Sequence, residues 1–365
     1  AALYGNRASN GVILITSKKG KMGKLNVSLD IKQGTYSRGV PEYDRADARQ
    51  WMELEWQNLR NSRMSGNGED AATAAAYASK NLIDEIVYLN IFNKPNDALF
   101  DANGKMAADA SILPGYVDDL DWYDFGVRAG YRQEDNINAN GSNDKADYRF
   151  SAGYLDENGY LKDSGFERFS GSVALNVRPV SWFKTGLQMN ASHQNLTNTN
   201  GNSDASYTNV FMYARNIAPV YPVHLHDVTT GEYILDAFGN KQYDQGSYID
   251  ENGNVILTRN QYVDRHVFYE NELNYDKTVR NTMNATAYIE LNLPYGFNAI
   301  VKGNLNTRNS RNYTYNSAII GDGKGSLGRS KREEYSYKNY TFQQQLTWAG
   351  EFGNHAVDAL IGHEN

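Results

Sequence analysis

The chain has 365 residues and a formal net charge of −7, from 36 Lys and Arg against 43 Asp and Glu, with no basic stripe, which argues against a nucleic-acid partner. It contains no Cys, which excludes disulfide frameworks, thiolate metal sites and cysteine nucleophiles. Mean hydropathy is −0.66 and no run approaches the ~20 apolar residues of a membrane-spanning helix, but a barrel strand gives lipid only alternate residues and escapes that test.

The opening residues differ from everything after them. Asn10-Gly11 is a turn signal, because both residues tolerate positive φ. Val12 to Ile15 is an unbroken apolar run, which reads as a short strand buried on both faces inside a small globular unit. Lys18-Lys19-Gly20-Lys21 ends it with charge and flexibility. A buried strand needs neighbours and nothing before it supplies them, so the chain reads as a piece from inside a longer protein. Arg7 needs a carboxylate or several carbonyls around it if it is buried.

From Leu25 the period becomes two. Leu25, Val27, Leu29 and Ile31 alternate with Asn26, Ser28, Asp30 and Lys32, giving one apolar and one polar face. The pattern returns at Tyr148–Tyr154, Phe169–Val177, Phe183–Ala191, Thr282–Leu293, Phe297–Leu305 and Thr341–Trp348, and more weakly at Asn136–Gly141 and His355–Gly362. That is about nine strands, most near or above the roughly 9–11 residues that cross a bilayer when tilted. The alternation predicts Val173, Leu175, Leu187, Met189, Ile289 and Leu291 toward lipid, and Asn176, Gln188, Asn190 and Glu290 toward the opposite side.

Connection lengths alternate as well. Short turns follow Gly141, Arg178, Leu293 and Gly350. Long links span Thr35 to Tyr131, Asn195 to Arg280 and Asn309 to Glu334; only Asp156–Gly165 is brief. Short turns on one side and long loops on the other are the habit of an outer-membrane barrel. Trp182, Phe183, Tyr295, Phe297, Trp348 and Phe352 gather at the short turns, where an aromatic girdle belongs. In the first long link, Asp44 is placed to cap a helix over Arg45–Arg60 with Trp51, Leu54 and Leu59 on one face, and Asp70–Tyr88 is a second helical stretch.

Few motifs suggest chemistry. Asp101-Ala102-Asn103-Gly104, Asp156-Glu157-Asn158-Gly159 and Asp250-Glu251-Asn252-Gly253 have the look of calcium loops, yet the twelfth residue from Asp250 is Gln261 rather than Glu, and turn chemistry accounts for all three. His224-x-His226 has ligand-like spacing but no visible third ligand, and nearby Pro222 suggests a loop, so a structural or solvated role is expected. No nucleophile elbow or phosphate loop is present, so no enzyme, cofactor or metal site is expected.

Tyr4, Gly5, Arg7, Ala8, Asn10, Gly11, Val12, Ile13, Ile15, Lys18, Lys19 and Gly20 together resemble the end of the plug domain in SusC/RagA-type TonB-dependent transporters of the bacterial outer membrane. The family pattern there is close to A-x-x-Y-G-S-R-A-A-N-G-V-I-x-I-x-T-K-K-G; Asn6, Ser9 and Ser17 depart from it by small or polar swaps. The likeness continues in the D-x-D-W-like segment ending at Trp122, in Tyr148 to Gly159, in Gly165 to Ser170 and in Gly350 to His355. It implies an all-β fold, a transmembrane antiparallel β-barrel of which this chain holds about nine strands, the whole barrel having about 22 strands and a plugged lumen. Residues 1–22 would be the end of the plug and a linker. Residues 23–365 would be the N-terminal part of the barrel, with extracellular loops near 35–131, 195–279 and 309–334 carrying short helices.

The resemblance further implies TonB-dependent active import of a nutrient, a glycan or peptide oligomer, across the outer membrane. A SusD-like surface lipoprotein would cap the barrel, outer-membrane lipid would surround it, and the TonB complex would energise it through a segment absent here. Tyr4, Gly5, Arg7, Asn10 and Gly11 are the plug-end motif; substrate-binding residues are not indicated. A passive porin or a β-rich surface adhesin without energy coupling is the competing expectation, and the plug-like opening argues against it.

Overall fold

A computed structural model describes residues 23–199, 206–249 and 255–365. The Tyr4–Gly11 motif, the Val12–Ile15 run and the Asp250–Gly253 segment lie outside the described residues. The strands are β1 (Gly23–Tyr36), β2 (Gly130–Ser142), β3 (Ala146–Asn158), β4 (Gly165–Val180), β5 (Phe183–Asn198), β6 (Ser247–Ile249), β7 (Val255–Thr258), β8 (Tyr275–Asn292), β9 (Phe297–Asn316), β10 (Arg329–Phe352) and β11 (His355–Glu364). β6 and β7 form a separate hairpin. The other nine make one antiparallel sheet in which each strand pairs with the next, β5 passing to β8. The two weakest sequence candidates are both present, as β2 and β11.

Alternation and register together make two unlike faces. Across the sheet, Val27, Ala139, Phe150, Val173, Met189, Ala285, Leu305 and Tyr340 lie in one row. The residues on the neighbouring row, pointing the other way, are Ser28, Asn138, Ser151, Ser172, Asn190, Asn284, Asn306 and Asn339. One face is therefore a band of apolar side chains and the other a ladder of hydroxyls and amides. The tight turns hold this register. At the β8–β9 turn Tyr295 and Gly296 both have positive φ, and a Cβ on Gly296 would meet the Ala349 carbonyl oxygen at 2.1 Å.

Neither face of the sheet packs a core. Among its described residues only Leu155 joins the buried hydrophobic set. The core sits in the long links after β1 and β5, which fold together into one body at the loop end. Trp56, Tyr116 and Trp122 come from the first link and Tyr213 and Tyr221 from the second, all fully buried.

Helices frame this cap: α1 (Ala48–Asn67), α2 (Ala71–Leu82), α3 (Trp122–Gly126), α4 (Val210–Asn216) and α5 (Val267–Leu273). The cap of α1 is Asp47, not Asp44: its carboxylate accepts from Gln50 N at 2.8 Å while the Gln50 side chain accepts from Asp47 N at 3.1 Å, a reciprocal capping box. The buried stripe is Ala48, Met52, Trp56 and Leu59; Leu54 is exposed, because Trp56 is the bulkier side chain and Leu54 lies about 200° around the helix from it. The second helical stretch is present as α2, and Asp70 caps it, accepting from Ala72 N and Thr73 N.

Two other expectations are corrected. The third loop is shorter than 309–334, covering only residues between Asn316 and Arg329, because β9 and β10 run on for 20 and 24 residues. That exceeds the roughly 9–11 residues a bilayer needs, so this hairpin continues past it. Asp156 to Asn158 belongs to β3 rather than to a turn. Asp101, by contrast, does make its turn, accepting from Asn103 N and Lys105 N.

Candidate functional site: a polar wall beneath a folded cap

The polar face of the sheet is held by its own cross-strand contacts. The Ser151 and Ser172 hydroxyls hydrogen-bond to each other, Ser192 and Thr282 do so at 2.7 Å, and Asn304 donates to Thr286 at 2.8 Å. A depression of about 460 Å³ opens on this face between β3 and β9, lined among others by Arg168, Ser172, Asn190, Gln194, Thr282 and Asn284. Its walls offer donors and acceptors at short intervals, suited to a polar solute.

The cap above is tied by polar contacts that join its two links. Asp119, from the first, receives His224 N at 2.7 Å and sits 2.6 Å from His224 Nδ1 and 3.0 Å from His226 Nε2. Burial pushes the Asp119 carboxyl up, but these hydrogen bonds outweigh it and hold its pKa at about 2. The two histidines of the ligand-like pair are thus a structural clamp. Trp122 Nε1 donates to the Tyr221 carbonyl at 2.8 Å, and the Tyr221 hydroxyl donates to the Val87 carbonyl at 2.7 Å. The buried Arg259 donates to Asp244 at 2.9 Å and to the carbonyls of Gln261 and Tyr262, so its charge is compensated. His266 is fully buried and lowered to about 3, chiefly by desolvation, so it is neutral; Tyr269 N donates to its Nδ1 and its Nε2 meets the Val223 carbonyl.

A groove of about 490 Å³ runs along the cap, lined by Tyr43, Arg45, Asp121, Tyr123, Arg215 and Pro219 among others. Beside it, ion pairs with Arg215 and Arg38 hold the Glu42 carboxyl at about 2. Tyr43 and Val117 present apolar surface on its rim.

No protein-family model matches the chain. It is 28% identical over 203 residues to the TonB-dependent receptor SusC of Bacteroides thetaiotaomicron, covering 56% of this chain and 15% of that protein. A TonB-dependent receptor of Formosa agariphila is 24% identical over 196 residues, covering 53% of this chain and 15% of the receptor. Among solved structures, the RagAB peptide transporter superposes with a TM-score of 0.61 at 18% identity, over 100% of this chain and 37% of the matched one. The RagAB peptide importer in its open-open state gives 0.62 at 16% identity, over 99% and 36%. The chain is similar in sequence and in fold to SusC/RagA-type TonB-dependent transporters. It spans a small part of the length of the curated relatives it matches.

The fold shared with these solved structures gives the sense of the sheet as a stretch of transmembrane barrel wall, its apolar rows outward to lipid and its amide ladder inward to the lumen. Val173, Leu175, Leu187, Met189, Ile289 and Leu291 all fall on the outward phase, and Asn176, Gln188, Asn190 and Glu290 on the inward one. The aromatics expected at the short turns are there: Trp348 lies with its ring 6.4 Å from Phe297 and 5.9 Å from Phe352, and Trp182 lies 6.0 Å from Phe183. Tyr4, Gly5, Arg7, Asn10 and Gly11, the residues singled out from sequence, are outside the described residues. Sequence reasoning passed over Arg168 and Arg280. Both occupy the polar phase of their strands, a readable signal, but only the register shows that one residue, Gln194, separates them.

Proposed function

We propose that this chain is the capped wall segment of an active importer, with residues 1–22 as the end of its plug and residues 23–365 as the N-terminal part of its barrel. The whole protein brings a nutrient oligomer, glycan or peptide, across the bacterial outer membrane at the expense of the TonB complex. A SusD-like surface lipoprotein sits over the cap, and the exposed Tyr43 and Val117 on the groove rim are candidates for its contact. The observation that carries this reading is the two-faced wall ending in a folded, cross-tied cap. A passive pore needs the wall; a solid cap with its own core suits a gated substrate chamber.

The test is uptake of labelled oligopeptides and oligosaccharides by the native host. Uptake of one class should require both this gene and TonB. Uptake that persists without TonB would favour the passive porin.

A further inference from the structure

Three arginines stand close together on the lumen wall. Arg168 pairs with Gln194 and Gln194 with Arg280 in one row. Two inter-strand steps put Arg168 and Arg280 about 10 Å apart at Cα. Arg308 lies one row further from the cap, opposite Thr282. The Nε atoms of Arg168 and Arg280 are both shut off from water, and neither has a hydrogen-bond partner among the described residues. Elsewhere on this wall Arg132 pairs with Glu134 and Glu157, and Arg178 with Asp147. From β4 to β9, the three rows beginning at Arg168, Ser170 and Ser172 hold Ser, Thr, Asn, Gln and these arginines, and no acid. On the cap side the next row places Phe166 beside Leu196, which limits water there.

A guanidinium N–H that has lost water needs an acceptor. The guanidinium fork matches a carboxylate through two parallel hydrogen bonds. Residues 1–22 contain Arg7, Lys18, Lys19 and Lys21 and no Asp or Glu, so they bring no side-chain carboxylate of their own.

We propose that Arg168 and Arg280, assisted by Arg308, form a site that holds the C-terminal carboxylate of a short peptide on its way through the lumen. This rests on the import reading and names its substrate class. The neighbouring row decides between carboxylate carriers. Ser172, Asn190, Asn284 and Asn306 bear no charge; they match the N–H and C=O groups of a peptide backbone. A polyuronate carries a carboxylate on every ring and would call for cations at row after row, whereas between β4 and β9 the arginines stop after two rows and the Ser172 row that follows holds none.

Phenylglyoxal labelling of the full-length transporter in detergent, read at each arginine by peptide mass spectrometry, tests the proposal. The probes are tetra-alanine with a free C-terminus, tetra-alanine amide and trigalacturonate. The free peptide should slow labelling of Arg168 and Arg280 several-fold and leave Arg128, in a loop, unchanged; the amide should do neither. Arg280→Gln should weaken binding of the free peptide roughly tenfold or more, the scale of a lost charge-assisted hydrogen bond, with Arg280→Lys restoring part of it. Arg168→Gln gives the same reading if Arg280→Gln does not fold. Equal protection by peptide and amide, or protection by trigalacturonate alone, would overturn the site. So would arginines that stay unlabelled until denaturation, because their acceptor would then be another part of the transporter. TonB-dependent uptake, measured separately, keeps the two readings apart. Uptake without carboxylate-dependent protection sinks this site and leaves import standing; protection without uptake does the reverse.

Discussion

Trp122 in the cap is fully buried, while Leu187 in the sheet, no less apolar, is 42% exposed. The cap hides its aromatics from water and pairs its buried charges from within, as Asp119 with His224 and Arg259 with Asp244 show. The sheet leaves both faces open and is joined mainly by backbone ladders and cross-strand hydroxyl and amide contacts. The two regions are built for different solvents. In the cap, hydrophobic burial supplies stability; in the sheet, lipid takes the place of a core and the polar face meets a wet lumen. Changes of one chemical kind should therefore have opposite outcomes in the two places.

Trp122→Ala should have the largest effect. Removing a fully buried indole costs about 3–5 kcal/mol and leaves the Tyr221 carbonyl without its donor. Protease should then cut within the cap while the heat-modifiable barrel band on a gel remains. Loss of the barrel band as well would show that the cap is needed to build the sheet.

Leu175→Arg comes next. A cation on the lipid face near the bilayer midplane costs about 2–4 kcal/mol, so folded protein in the outer membrane should fall. Asn176→Arg, one residue on, points into the lumen near Asp147 and should be tolerated better. Equal yields of heat-modifiable protein from the two variants would erase the distinction between the faces.

Acid should separate cap from sheet more gently. His266 stays neutral in the folded cap down to about 3, while in the unfolded chain it takes a proton near its ordinary 6.5. Below 6.5 the unfolded cap thus binds the extra proton, so this contribution to stability is full above 6.5 and is lost as pH falls toward 3. Asp119, held at about 2 against an ordinary 3.8, acts in the same direction lower down: its contribution is present above 3.8 and fades toward 2. Protection factors for hydrogen exchange in α3 to α5, corrected for the slower intrinsic exchange in acid, should fall on acidification from pH 6.5. Protection factors that rise there would contradict the buried neutral imidazole.

The smallest effect expected is that of Asp47→Ala, about 1 kcal/mol from a lost helix cap. Exchange should rise in the first turn of α1 and little elsewhere; a matching rise from Asp44→Ala would return the cap to Asp44.

Much of the sheet was legible because alternation is a local signal. Lipid on one side and lumen on the other write it into each strand separately, so even the weak Asn136–Gly141 stretch could be read. The ends of β9 and β10 were missed where polar residues such as Asn309 and Arg311 occupy the outward and continuing positions beyond the membrane, and the pattern no longer tracks hydropathy. In α1 the capping-box pair Asp47 and Gln50 was present in the sequence, but Asp44 offered an equally plausible start. The Asp119 clamp was not readable: its partners lie more than 100 residues away and meet only because two links fold into one body. The arginine pair was half legible, each residue on a polar phase, its neighbour supplied only by register.

The inward and outward assignment of the wall is the claim on which cap, lumen and carboxylate site all depend. These 365 residues hold no Cys, so in a full-length transporter with any other Cys replaced, single cysteines can be placed at Val173, Leu175, Leu187, Met189, Ile289 and Leu291, and at Asn176, Gln188, Asn190 and Glu290, and spin-labelled in lipid bilayers. The first set should be relaxed by oxygen dissolved in lipid and the second by a water-soluble nickel chelate, alternating residue by residue along β4, β5 and β8. Equal access of both quenchers to both sets would contradict the barrel wall itself.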